Sequence, residues 1–245
     1  MIKVSAVSYL NTIPFIYGIE RSKLNEVISL ELDYPAVCAQ KLINDSVDIA
    51  LIPVVAITEL QQAHIISDYC IGANGIVDTV CLYSDVPINE IESITLDFQS
   101  RTSVELLRIL IRDFWRIQPL LKASKIGFEK DIRERNAALV IGDKAFNLNK
   151  KHQYIYDLSA VWKEMTGLPF VFAVWVANKR IADDFIFDFN NALQYGLLNI
   201  NKALSCKKNR DYLGCKNPKD YLHNKICYNL DARMQKGMDL FLERV

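Results

Sequence analysis

The chain lacks the local signatures of several common chemistries. It contains no His-Glu-x-x-His pair, no Gly-x-Ser-x-Gly elbow and no glycine-rich loop ending in Gly-Lys-Ser or Gly-Lys-Thr. Zinc hydrolysis, serine hydrolysis and nucleoside triphosphate binding therefore have no support in the sequence. Neither sign of charge prevails, since Lys plus Arg and Asp plus Glu both number 29. This removes the field expected of a general nucleic-acid or polybasic membrane binder and leaves a small molecule as the default partner. Uninterrupted apolar runs are too short to span a bilayer, and the start at Met1-Ile2-Lys3-Val4 is an alternating strand rather than a secretory signal. The resulting expectation is a cytoplasmic protein with no membrane partner.

The six cysteines, Cys38, Cys70, Cys81, Cys206, Cys215 and Cys227, form no C-x-x-C pair. Cys206, Cys215 and Cys227, even with His223 nearby, do not have zinc spacing, so reduced thiols are expected and neither metal nor cofactor is required. The three histidines, His64, His152 and His223, lie away from the polar loops described below. They read as ordinary surface or interhelical residues rather than catalytic bases.

What is present is alternation of short strands with helices. The 245 residues, 51% hydrophobic, suit one large domain or two small lobes. The pattern predicts strand 2–7, helix 13–20, strand 27–32, helix 35–45 with Pro35 in its first turn, and strand 48–52. This is βαβ order, which implies a mainly parallel sheet with ligands beyond the carboxyl ends of its strands. Further strands are predicted at 77–82, 94–97 and 137–141, with a helix around 105–112. The aromatic and β-branched run Phe170–Ala177 has the strongest strand signal of the second half and is positioned to return the chain to the first lobe. Residues 183–204 carry a helical stripe of Phe185, Phe189, Leu193 and Leu197, read as packing. The Lys207-Lys208-Asn209-Arg210 run reads as a solvated bend, 217–228 as a looser stretch with surface charges, and 231–243 as a last helix.

Two loops stand out because each places hydroxyls at a predicted helix start. In Ser8-Tyr9-Leu10-Asn11-Thr12, the side chains of Ser8, Asn11 and Thr12 stand beside the unpaired N–H groups of a helix beginning near Ile13-Pro14. Asp97-Phe98-Gln99-Ser100-Arg101-Thr102-Ser103 adds a guanidinium to Ser100, Thr102 and Ser103. Two such ends facing one cleft would receive a small carboxylate-bearing molecule. A plain Asn11 or Thr12 cap and an Arg101 to Asp97 ion pair account for the same residues.

Thr79, after Gly72-Ala73-Asn74-Gly75, is either a ligand hydroxyl or a strand residue with a satisfied hydrogen bond. Asp143 follows the 137–141 strand, where a polar group can enter an interlobe cleft. It is open to several roles: orienting Arg101, binding a hydroxyl, acting as a base, capping a helix or making a structural ion pair.

The ordered set of motifs resembles the chorismate dehydratase family of menaquinone biosynthesis called MqnA. The segments are Val4–Pro14, Ile52-Pro53, Gly75–Val80, Leu96–Ser103, Ile141–Ala145 and Trp162–Phe172, which together span most of residues 2–177. The resemblance implies an α/β fold like the type 2 periplasmic binding proteins, two lobes around a ligand cleft, with 1–85 and 172–245 forming one lobe and 86–171 the other. It implies a cofactor-independent lyase that eliminates water from chorismate to give 3-[(1-carboxyvinyl)oxy]benzoate in the futalosine route. On the same resemblance, Ser100, Arg101, Thr102, Ser103, Tyr9 and Thr12 form the substrate-binding set. Asn11, Ser8, Thr79 and Asp143 form the catalytic set, and the substrate's own enolpyruvyl carboxylate is a second candidate for the base. Family members commonly carry Ser where this chain has Thr79. A homodimer is compatible with the chain, and the alternative function is a noncatalytic cytosolic binder of chorismate or a related aromatic carboxylate.

Overall fold

A computed structural model describes residues 1–148, 151–206 and 214–245, and the Lys207 to Arg210 run lies outside them. The opening βαβαβ pattern forms as read. β1 (Ile2–Val7) lies parallel to β2 (Ile28–Asp33) and β3 (Ile49–Pro53), and α1 (Ile13–Glu20) and α2 (Pro35–Ile43) supply the crossovers. Pro35 sits in the first turn of α2, where a missing N–H leaves no intrahelical bond unmade. The same sheet also takes in β4 (His64–Ala73), β10 (Phe170–Ala177) and β11 (Cys227–Asn229), giving the order β11-β4-β10-β3-β1-β2.

β10 runs antiparallel to both β3 and β4, and β11 antiparallel to β4. The mainly parallel expectation is thus corrected to a mixed sheet. β10 does not arrive through a helical crossover from a neighbouring strand but returns after the whole middle of the chain, so its direction is free of the βαβ constraint.

The second sheet contains β5 (Val80–Ser84), β6 (Ser93–Leu96), β7 (Leu120–Ala123), β8 (Asn136–Ile141) and β9 (Tyr154–Asp157), in the order β7-β6-β8-β5-β9. β6 is parallel to β7 and β8, whereas β5 is antiparallel to β8 and β9. The chain passes between sheets after Ala73 and again between Asp157 and Phe170, so β5, which falls within 1–85, pairs in the second sheet.

α3 (Thr102–Ile109) follows β6 and runs on into a π-helical turn, Leu110–Trp115. α4 (Leu158–Thr166) begins at Asp157, whose carboxylate accepts the N–H groups of Ser159 and Ala160. The predicted 183–204 helix is two helices, α5 (Asp183–Leu198) and α6 (Ile200–Cys206), parted at Asn199. After a short α7 (Pro218–Asp220) and a π-helical turn at Tyr221–Lys225, the chain closes with α8 (Ala232–Leu242).

The packing explains the uninterrupted apolar runs. β3 and β10 lie inside their sheet with nearly every residue buried, because helices cover the sheet and neighbours flank both edges. Trp162 from α4 meets Phe170 and Phe241 edge to face, tying β10 to α4 and to the C-terminal helix. Burying each such side chain contributes roughly 1.5–3 kcal/mol. α1 lies against α5 backbone to backbone: a Cβ at Gly18 would stand 1.9 Å from the Ala192 carbonyl oxygen, and one at Gly196 the same distance from that of Pro14. No helix among the described residues is long and apolar enough to cross a membrane.

Candidate functional site

The two hydroxyl-bearing loops meet at one cavity between the sheets. Its space, the solvent at its open mouth included, is about 570 Å³, and it is bordered by Asn11 and Tyr9 on one side, by Ser100 to Ser103 on another, and by Thr79, Gly142 and Phe172. Pro35, Pro53, Val7, Ile71 and Ala173 complete a largely apolar wall. A cleft of this character, apolar with a few convergent polar groups, suits a small ring-bearing acid.

Arg101 borders the cavity, but its guanidinium is held from the first-sheet side. Nη1 pairs with Glu59 Oε1 at 2.8 Å, and Nη2 donates to Gln40 Oε1 at 3.1 Å. The Arg101 to Asp97 pair considered from sequence does not form. Asp97 is buried, receives the N–H groups of Gln99 and Ile141, and pairs with Lys144 at 2.8 Å. Asp97 is thus a brace for the loop and not a partner for its arginine. Ser100 Oγ accepts the N–H of Ser103 at 3.2 Å, and Thr102 Oγ1 accepts that of Val55 at 3.3 Å, so both hydroxyls shape the loop as well as border the cavity.

The first loop departs from the simple capping picture. Neither Asn11 nor Thr12 caps α1 with its side chain. Instead, Asp143 reaches across from the second sheet, and its two oxygens accept the N–H of Leu10 at 3.1 and 3.0 Å. Thr12 is fully buried and donates to Asn11 Oδ1 at 3.2 Å. Ser8 uses its N–H on the Asp33 carbonyl. Ser8, Thr12 and Asp143 are not among the residues bordering the cavity, whereas Asn11 is.

Tyr9 spans the two lobes. Its hydroxyl donates to Gln99 Oε1 at 2.7 Å, and its ring lies flat against Gly142. Burial, and then the nearby carboxylates of Asp97 and Asp143, push its phenol well above the usual range, so it stays neutral and donates. Gly142 has φ +71° and ψ −162°, a conformation open essentially to glycine alone, and a Cβ there would lie 2.6 Å from Tyr9 Cζ.

Two residues that pack behind the cavity come from the tail read as loose and decorative. Tyr221, in the π-helical turn, and Tyr228, on β11, are both buried. The Tyr221 hydroxyl lies 2.9 Å from Thr79 Oγ1, and the Tyr228 hydroxyl donates to the Asn11 carbonyl at 2.9 Å. Their only sequence signal was an aromatic side chain every few residues in a charged stretch. Of the cysteines, Cys38 is buried and its thiol is pushed up to about 12, chiefly by that burial, which keeps it protonated. Among the described residues, His, Cys, Asp and Glu form no group that could hold a metal ion.

Comparison with known proteins agrees with this geometry. A family model described as menaquinone biosynthesis matches residues 2–245. A chorismate dehydratase of Thermus thermophilus is 25% identical over 164 residues, a match that spans 60% of this chain and 60% of that relative. Among solved structures, a protein from Archaeoglobus fulgidus superposes with a TM-score of 0.76 at 14% identity, covering 99% of this chain and 96% of its own. The periplasmic aliphatic sulphonate binding protein of Escherichia coli does so with a TM-score of 0.59 at 15% identity, covering 99% and 86%. The type 2 periplasmic-binding-protein architecture, with two α/β lobes around a cleft, is therefore the fold of this chain. The cytoplasmic expectation is corrected at the same point. Some solved chains with this fold are periplasmic or ABC-transporter proteins, so the fold lends the cytoplasmic expectation no support, and a strand-first start does not decide the compartment.

Proposed function

Because this chain belongs to the menaquinone-biosynthesis family matched over residues 2–245, we propose that it is a chorismate dehydratase, a hydro-lyase releasing 3-[(1-carboxyvinyl)oxy]benzoate and water. The observation that carries the proposal is a single cavity bordered at once by Asn11, Thr79 and the Ser100 to Ser103 loop. A carboxylate fits the Arg101 end, and a departing hydroxyl fits the amide and hydroxyl end.

The chemistry asks little of the protein beyond position and fixed dipoles. The C3 proton of chorismate is acidified through the ring diene by the ring carboxylate, and loss of the C4 hydroxyl yields an aromatic ring. Arg101, with Ser100, Thr102 and Ser103, holds a substrate carboxylate. Tyr9 walls the ring, and Asn11 and Thr79 hydrogen-bond the hydroxyl as it leaves. Groups already fixed in place stabilise developing charge without reorganising during the reaction.

Asp143 is spent on the Leu10 N–H, which favours an anchoring role for it and the substrate's enolpyruvyl carboxylate as proton acceptor. Ser8 and Thr12 support the loop from behind. The lobes divide, on this reading, near residues 73–80 and 157–170. The partner is the small-molecule substrate, and one chain supplies the whole site, so a homodimer is not required.

The test is a time course of the purified, chelator-treated protein with chorismate, followed by mass-resolved chromatography against a no-protein control. Protein-dependent appearance of 3-[(1-carboxyvinyl)oxy]benzoate supports the proposal. Chorismate binding without product would replace it with a binding protein.

A further inference from the structure

Thr79, in the bend just ahead of β5, carries a hydroxyl that its neighbouring backbone holds only weakly. Its contact with the Val77 carbonyl is 3.5 Å long, at the outer limit of a hydrogen bond. The short contact is with Tyr221, 142 residues further along the chain, at 2.9 Å. Tyr221 is itself held on every side. It is buried, and its ring meets Phe146 edge to face with centroids 5.0 Å apart. Burial pushes the phenol well above its usual range, so it is a neutral group with one proton to give.

Tyr221 is not among the residues bordering the cavity, yet it touches Thr79, which faces the proposed leaving group. An unheld threonine hydroxyl samples several rotor positions. One locked to a buried phenol directs its remaining hydrogen-bonding capacity a single way. We propose that Tyr221 is a positioning residue for the dehydration, fixing the Thr79 hydroxyl toward the departing hydroxyl without touching substrate. The tyrosine's effect belongs to the step in which the hydroxyl leaves and not to capture of the carboxylate at the Arg101 end.

This inference rests on the dehydratase reading, and the experiment separates the two. Initial rates with chorismate are compared for the unsubstituted protein, Tyr221→Phe, Thr79→Val and the double variant, each checked by thermal unfolding. Tyr221→Phe is expected to lower kcat at least about tenfold with KM changed less than about twofold, since it removes orientation rather than binding. The double variant is expected to be no slower than the slower single one, because both substitutions break the same contact. An unchanged kcat in folded Tyr221→Phe, or losses that multiply in the double variant, would overturn the inference alone. No product from the unsubstituted protein would overturn the dehydratase reading and this inference with it. If Tyr221→Phe does not fold, Phe146→Leu, which loosens the ring but keeps its hydroxyl, must lower kcat at constant KM, and a normal kcat there counts against the role.

Discussion

The carboxylate of Asp143 grips the backbone N–H of Leu10 with both oxygens, at 3.1 and 3.0 Å, and so binds the turn after β8 to the start of the first helix region in the other lobe. A residue that reads from sequence as a candidate base is, in three dimensions, a cross-lobe anchor. Asp143→Asn keeps an acceptor for that N–H, whereas Asp143→Ala leaves it unpaired. We expect Asp143→Asn to fold and turn over within a few-fold of the unsubstituted protein, and Asp143→Ala to lose about 1–2 kcal/mol of stability. Urea unfolding and initial rates check both, and a folded but inactive Asp143→Asn with normal ligand binding would restore Asp143 as the base.

Arg101 is shared between its clasp and the proposed substrate. Arg101→Ala is expected to raise KM roughly 10- to 100-fold, the value of a charge-assisted hydrogen bond, with a much smaller change in kcat. Glu59→Gln removes the competing charge at 2.8 Å and should lower KM by about two- to fivefold, while stability moves by less than about 1 kcal/mol because Glu59 is half exposed. Steady-state kinetics on the two variants test the sharing directly, and a raised KM in Glu59→Gln would mean that the clasp helps binding.

Removing the Thr79 methyl should matter less than removing its hydroxyl. Thr79→Ser keeps the contact to Tyr221 and is expected to stay within a few-fold in kcat, whereas Thr79→Val should lose about a hundredfold. Asn11→Ala should likewise depress kcat more than stability. Equal rates for Thr79→Val and the unsubstituted protein would remove the hydroxyl from the mechanism.

Gly142 offers a test of shape. Gly142→Ala meets both an unfavourable backbone region and the Tyr9 ring, with an expected cost of about 1–3 kcal/mol and a raised KM as the ring is displaced. Gly127→Ala is the control: its φ of +83° carries backbone strain, but nothing stands within 4 Å of the added carbon. If both variants change KM alike, the contact with Tyr9 plays no part in holding substrate.

Much of the frame was legible because it depends on local pattern. The βαβαβ opening, β8 and Phe170–Ala177 follow from apolar runs bounded by turn residues, and the Ser100 to Ser103 loop and Asn11 were singled out by hydroxyls at helix starts. The failures share a different cause. β4, with exposed His64 and Ile65 and polar Ser67 and Asp68 within it, lacks a clean period, and β11 is only three residues long. The partners of Asp143, Arg101 and Thr79 are 133, 42 and 142 positions away, and no window of sequence contains both members of such a pair. Tyr221 and Tyr228 were missed for the same reason, since burial among distant elements is not written in their charged neighbours.

The hydrogen bond from Tyr228 to Asn11 joins residues 217 positions apart, which sets an order of events during synthesis. Strands β1 to β3 can pair as soon as they emerge, and the second sheet can form next as a unit. The loop near Asn11 must then wait, with its support missing, for almost the whole chain to be made. Contacts this remote are slow to form because loop closure precedes their reward. A nascent chain would therefore have most of the walls of its cleft before the Asn11 loop had its support.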